Sequence, residues 1–248
     1  MILLFDLGNS RIKCAEWVDG RIANRFSIPH QGHLPDALTD ALRHMTEPRQ
    51  VLGCHVSSEV LAEELDAATD QLWGLRTKWA RSMERQCGLV SAYRTPELLG
   101  VDRWVAMLGA LELGLTPCCV VDCGTAVTVD VVDRRGQHQG GLIFAGLALS
   151  RQALSQRAHR LSDAGEGDLP LLATETLTAI RSGTFHGLAS AIEGLYQTIS
   201  SQQREPLRLV LTGGDADILA PALQSCNPDV QPDLVFHGLL RGSAGSMP

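Results

Sequence analysis

The sequence predicts an α/β chain built from two similar halves, and three observations carry that prediction. An apolar run enters an Asp-x-Gly turn twice, at Asp6-Leu7-Gly8 and again at Asp122-Cys123-Gly124, nearly half the chain apart. Each turn is followed by two more strand-like segments joined by a second turn, so each half opens as an antiparallel meander. The remainder of each half alternates helical with strand-like periodicity.

The elements follow in order. MILLF (1–5) is apolar and runs into Asp6, the polar turn Gly8-Asn9-Ser10, and then Lys13. CAEWV (14–18) and RIANRF (21–26) flank Asp19-Gly20, a hairpin signal. PDALTDALRHM (35–45) and SSEVLAEELDAATDQLWG (57–74) read as amphipathic helices, the second with a Ser-x-x-Glu-like start. VLGCHV (51–56) between them reads as a buried strand. Gly100-Val101-Asp102-Arg103 precedes a helix expected over Trp104 to Leu113. The second half repeats the opening: a strand over 118–121, AVTVDVVD (126–133), a turn at Arg134-Arg135-Gly136 and a Gly-rich return to Ile143. A helix is expected over 177–199, where Ile180, Leu188, Ile192, Leu195 and Ile199 fall near helical spacing. LRLVLTGGDA (207–216) is a strand ending in another Gly turn. The halves meet near residue 112, giving domains 1–112 and 113–248, and no low-complexity linker marks the joint.

Composition bounds the function. With 248 residues, 44% of them apolar, the chain is globular and has a sizeable core; with 4% aromatics, that core is built from Leu, Val, Ile and Ala. A net charge of −7 argues against nucleic acid as a partner. No apolar run is long enough for a membrane span, and MILLF lacks the flank and length of a signal peptide. The seven cysteines include no CxxC pair and are odd in number. Small buried hydrophobes in a reducing cytosol are expected, not a zinc site or a disulfide framework.

Glycines after a strand let backbone N–H groups approach a phosphate, and Asn, Ser and Thr add donors. A carboxylate at each strand end can orient a divalent metal, directly or through water. Either turn alone is an ordinary hairpin. The two together with a third, Thr212-Gly213-Gly214-Asp215, point to a polyphosphate held between two domains, with Lys13 balancing its charge. Asp102 at a helix start is commonly a cap. Arg103 in the same first turn opposes the helix dipole, so the pair suits a site better: Asp102 as acceptor of a hydroxyl proton, Arg103 as a fork for an anion.

In order along the chain, DLGNSRIK (6–13), GVDR (100–103), DCGTAVTVD (122–130), GGLIFAG (140–146), TLTAIRSG (176–183) and LTGGDA (211–216) resemble the type III pantothenate kinases, of the actin, sugar kinase and heat-shock ATPase superfamily. The resemblance implies two duplicated ribonuclease-H-like domains, each a mixed five-stranded sheet flanked by helices. It implies ATP-dependent phosphorylation of the primary hydroxyl of pantothenate, the opening step of coenzyme A synthesis, by a cytoplasmic homodimer needing magnesium and potassium or ammonium. By position, Asp6, Leu7, Gly8, Asn9, Ser10, Arg11, Ile12, Lys13 and Thr125 bind ATP. Asp122 holds the monovalent cation, and Asp6 serves magnesium. Asp102 is the general base. Tyr93, Gly100, Val101, Asp102, Arg103 and Thr176 line the pantothenate site, with Arg103 fitting its carboxylate. Ser10 stands where the family has Thr and keeps the hydroxyl. Ala145 stands where it has Pro, which is expected to loosen a loop beside the site. Another small-molecule kinase of the same fold, and a nucleotide-binding regulator without catalysis, stay open as alternatives.

Other residues carry plainer expectations. The eight histidines, His138 among them, show no ligand spacing and are expected in surface or loop positions. Trp104 is expected as packing, with a site wall as the alternative. Gly183 and Gly187, four apart on the expected helix, suggest close helix packing, with the dimer interface as its place, and DAGEGD (163–168) suggests a solvated loop.

Overall fold

A computed structural model describes residues 1–157 and 167–244, so most of the 163–168 stretch lies outside the described residues. Contacts divide the chain into two units. One holds Met1–Leu115, Arg135–His138 and the C-terminal segment from Asp233; the other holds Thr116–Arg134 and Gln139–Pro232. This partition differs from a single cut near residue 112, because the chain re-enters the first unit twice.

The first unit is organised by strands β1 (Ile2–Leu7), β2 (Arg11–Val18), β3 (Arg21–Pro29), β4 (Gln50–His55) and β5 (Lys78–Trp79), in the sheet order β3-β2-β1-β4-β5. β1 runs antiparallel to β2 and parallel to β4. The β2–β3 turn has Asp19 at φ 49 and Gly20 at φ 77, the two positive values a tight primed turn requires. Helices α1 (Asp36–Arg43) and α2 (Glu59–Trp73) supply Leu38, Leu42, Leu61 and Leu65 to a core shared with Leu3, Phe5 and Leu7 of β1. Alternate β1 residues thus face these helices, as the two-residue period of a strand dictates. Helix α2 starts as the serines suggested, with Ser58 accepting from the Leu61 amide. No capping box forms there, because the third helical position is Leu61 and not Glu. A short hairpin, β6 (Arg85–Gln86) with β7 (Leu89–Val90), leads to α3 (Val101–Glu112), which packs on α7 (Leu234–Ala244).

The second unit repeats the plan. Strands β8 (Cys118–Cys123), β9 (Ala126–Val132), β10 (His138–Ala145), β11 (Arg208–Thr212) and β12 (Asp229–Val230) form a sheet in the order β10-β9-β8-β11-β12. β8 is antiparallel to β9 and parallel to β11. Both sheets therefore have the same strand order, and their central strands pair in the same directions, the ribonuclease-H-like arrangement in duplicate. Helix α4 (Leu147–Arg157) follows β10, and α6 (Ala216–Leu219) follows β11. Helix α5 (Thr176–Gln202) is longer than the periodicity indicated, and buries Phe185 and Ala189 beside the expected Leu188 and Ile192.

The duplication puts the two motif carboxylates in equivalent places. Asp6 lies within β1, opposite Lys13 on one side and Cys54 on the other. Asp122 lies within β8, opposite Thr128 and Thr212. Each strand continues one residue past its aspartate, so the carboxylate is inside the ladder and not at the strand's end. All seven cysteines are free thiols, and five are buried.

Candidate active site

In the first unit the turn between β1 and β2 closes through the Gly8 amide, which donates to the Arg11 carbonyl at 3.1 Å. Asn9 and Ser10 are exposed at its tip. Behind them Asp6 is buried, with Lys13 Nζ 3.5 Å from its carboxylate. The Cys54 thiol donates to Asp6 Oδ1 at 3.6 Å. Burial first, then the negative charges of Asp6 and Asp102, raises the Cys54 thiol well above its usual range. The thiol is on β4, directly opposite Asp6 in the ladder. Not every residue of 6–13 offers a side chain there: Leu7 and Ile12 pair across the ladder and are in the core, leaving only their backbone to a ligand. The Arg11 guanidinium is engaged with Ser27, at 2.8 Å to Oγ and 2.9 Å to the carbonyl.

Helix α3 begins at Val101, three residues earlier than the sequence indicated, because Gly100 takes the cap position and the Trp104 amide bonds back to its carbonyl at 3.0 Å. Asp102 is therefore inside the first turn and is not the cap. Its Oδ1 accepts from the Arg103 amide at 2.8 Å. A Cβ on Gly100 would come within 2.7 Å of that same oxygen, so glycine leaves the carboxylate its room. Arg103 is 5% exposed, donates to the Tyr93 hydroxyl at 2.8 Å, and lies over the Tyr93 ring at 5.7 Å from its centroid. The buried cation in the first turn is thus matched by an oxygen and an aromatic face. Trp104 is packing: it is fully buried and donates to Gln86 at 2.8 Å.

In the second unit three of the quoted segments converge. The Gly146 amide donates to the Thr125 carbonyl at 3.0 Å, and the Asp215 amide to the Cys123 carbonyl at 2.9 Å. Gly213 has φ +92, and a Cβ there would overlap Asp122 Oδ1 and the Cys123 backbone. A Cβ on Gly146 would overlap the Gly124 carbonyl. Glycine at both positions is what lets the turns close around Asp122. Burial raises the Asp215 carboxyl, with the Arg151 guanidinium pulling the other way. Burial, then Asp122 and Asp215, pushes the Cys123 thiol up to about 12, which keeps it protonated. Thr176 is the first residue of α5, and it is exposed. Ala145 is the last residue of β10, directly before the Gly146 amide that braces Thr125.

The surroundings of Asp122 and of Asp6 have a chemistry that fits hard cations. Asp122 sits in a glycine cradle beside backbone carbonyls, an oxygen-rich environment. Asp6 is a single carboxylate at a phosphate-type turn, the donor set with which magnesium usually completes its shell from phosphates and water. Among the described residues no cluster of three His, Cys, Asp or Glu side chains could hold a metal by itself. None of the described helices is long and apolar enough to cross a membrane.

Several residues escaped sequence reading. His138 is not superficial: it is 1% exposed and stacks on Tyr93, with centroids 6.1 Å and planes 16° apart. Cys54 and His30 gave no signal because their partners are distant in sequence. Asp215 stood in a quoted motif and was legible as a candidate.

The comparisons agree in direction. Two solved structures share the fold. One, from Campylobacter jejuni, bears the name of a Baf family transcriptional activator; it has TM-score 0.58 and 22% identity, over 96% of this chain and 95% of that one. The other, component A of (R)-2-hydroxyglutaryl-CoA dehydratase from Acidaminococcus fermentans, has TM-score 0.56 and 14% identity, over 97% and 95%. Among relatives in sequence, the type III pantothenate kinase of Nitrosococcus oceani is 32% identical over 97% of this chain and 93% of its own length. That of Alkalilimnicola ehrlichii is 37% identical over 96% and 95%. The family model for type III pantothenate kinase matches residues 2–198, and with full-length relatives above 30% identity the chain belongs to that family.

Proposed function

We propose that this protein transfers the γ-phosphoryl group of ATP to the primary hydroxyl of pantothenate, giving 4'-phosphopantothenate at the start of coenzyme A synthesis. The observation that supports the reading is the exposed Gly8-Asn9-Ser10 turn backed by the Asp6–Lys13 pair at 3.5 Å, in the same unit as Asp102 in the first turn of α3. Phosphoryl transfer asks little covalent chemistry of a protein; positioning and charge neutralisation do most of the work.

In this reading Asp6 through Lys13 bind the ATP phosphates, through backbone amides, the Ser10 hydroxyl and the Lys13 ammonium, and Thr125 also binds ATP. Magnesium held at Asp6 would neutralise charge on the phosphates. Potassium or ammonium would sit at Asp122. Arg103, held by Tyr93, grips the pantothenate carboxylate, and Gly100, Val101 and Thr176 complete that site. The substrate oxygen forms its bond to phosphorus as the bond to ADP breaks, and the hydroxyl proton passes to the Asp102 carboxylate. A cytoplasmic homodimer completes the proposal.

A coupled ADP-release assay with pantothenate, with and without potassium or ammonium, tests it. Turnover dependent on the monovalent cation is expected. Turnover only with another hydroxylated acid would indicate a different kinase, and nucleotide binding without turnover a regulator. Asp122→Ala is expected to abolish the potassium response; an unchanged potassium dependence in that variant would sink the cation assignment.

A further inference from the structure

We propose that His30 is a positioning residue that aims the phosphate-binding turn, held in place by a strap over residues 30–34 anchored on α2. The proposal rests on the reading that Gly8–Ser10 bind phosphate. Three bonds define it. His30 Nε2 donates to the Gly8 carbonyl at 2.8 Å, the Gly32 amide donates to His30 Nδ1 at 3.0 Å, and the His30 amide donates to the Ser10 carbonyl at 3.2 Å. Only the neutral Nε2–H tautomer makes both ring bonds, so the ring acts as a two-ended clip.

The clip has a fixed far end. Ser58, the cap of α2, donates to the Gly32 carbonyl at 3.0 Å while accepting from the Leu61 amide at 3.4 Å. Glu64, a turn further along α2, bonds the Leu34 amide at 2.6 Å and the His33 ring at 2.9 Å. The strap is thus tied to the helix at three points, and His30 passes that rigidity to the turn.

The consequence for ligand binding follows from peptide geometry. The Gly8 carbonyl and the Asn9 amide belong to one planar trans peptide, so they point in opposite directions. With the carbonyl pinned to His30, the Asn9 N–H is turned to the exposed side of the turn, where an anion can accept from it. Without the ring, that peptide is free to flip and present its carbonyl to the phosphate.

The test is steady-state kinetics of His30→Ala, His30→Gln and His30→Asn. His30→Ala is expected to raise KM for ATP about tenfold, the equivalent of one backbone hydrogen bond, with kcat and KM for pantothenate within about twofold. Glutamine places an N–H near the Nε2 position and is expected to restore KM for ATP to within about threefold of native. Asparagine reaches only as far as Gly32 and should retain the defect. Native KM for ATP in His30→Ala overturns the proposal, as does equal behaviour of the Gln and Asn variants or a loss shared by both substrates. Should His30→Ala not fold, the Gln–Asn contrast decides alone. Ser10→Ala and Lys13→Ala check the underlying reading: native KM for ATP in both means that the turn does not bind phosphate. A raised KM in those two with no change at His30 refutes only the clip.

Discussion

Asp102→Asn is expected to lower kcat about 100-fold or more, the range for loss of a general base, while ATP affinity stays within about threefold of native. The substitution is close to a pure test of proton transfer. Asparagine keeps an oxygen where Oδ1 accepts from the Arg103 amide at 2.8 Å, so the first turn of α3 can be retained. It also fits the room that Gly100 leaves. The Arg103–Tyr93 bond lies on another side chain and is untouched. What changes is the charge, and with it the ability to take a proton from the substrate hydroxyl. Some helix stability goes too, about 0.3–1 kcal/mol for removing an acidic group from a first turn. A melting curve measures that loss separately from turnover. Calorimetric titration with ATP and a saturating-substrate rate measurement complete the experiment, and near-native kcat would end the assignment of Asp102 as base.

How far the sequence led differs between the fold and the site, for a physical reason. Strand and turn signals are local: Asp19-Gly20 fixes a hairpin because two adjacent residues must take positive φ. The repeat of an apolar strand running into Asp-x-Gly exposed the duplication for the same reason. The start of α3 was missed by three residues because Gly100 caps through its backbone, whereas a side-chain cap leaves a mark in residue type. Long-range partnerships leave no mark at all. Cys54 under Asp6, His30 behind Gly8 and His138 beneath Tyr93 are set by sheet register and loop return. The cysteines read as small hydrophobes, which all five buried ones are, yet Cys54 also donates to the Asp6 carboxylate. The return of α7 to the first unit was equally hidden, because its apolar periodicity says that it packs but not against what.

That return supports the second large effect. Gly238→Ala is expected to destabilise the protein by about 2 kcal/mol, lowering the melting temperature by about 4–8 °C. A Cβ at Gly238 would overlap the Val105 carbonyl oxygen of α3, and a Cβ at Gly109 of α3 would overlap the Leu234 carbonyl oxygen of α7. The approach is reciprocal and backbone to backbone, so no rotamer change relieves it; the helices must separate. Overpacking of this kind costs about 1–3 kcal/mol, and the better helix propensity of alanine returns about 1 at most. Under the proposed function the damage reaches turnover, because α3 opens with Asp102 and Arg103, within one turn of Val105. A shift of about 1 Å in a positioned group can cost about 100-fold, so kcat/KM for pantothenate should fall more than KM for ATP rises. Gly183→Ala is the control. It is also a helical glycine, but a Cβ there meets nothing within 4 Å among the described residues of this chain. Within this chain that substitution should be neutral or stabilising by up to about 1 kcal/mol. If Gly238→Ala melts no lower than Gly183→Ala, the close α3–α7 approach is not what holds the start of α3 in place.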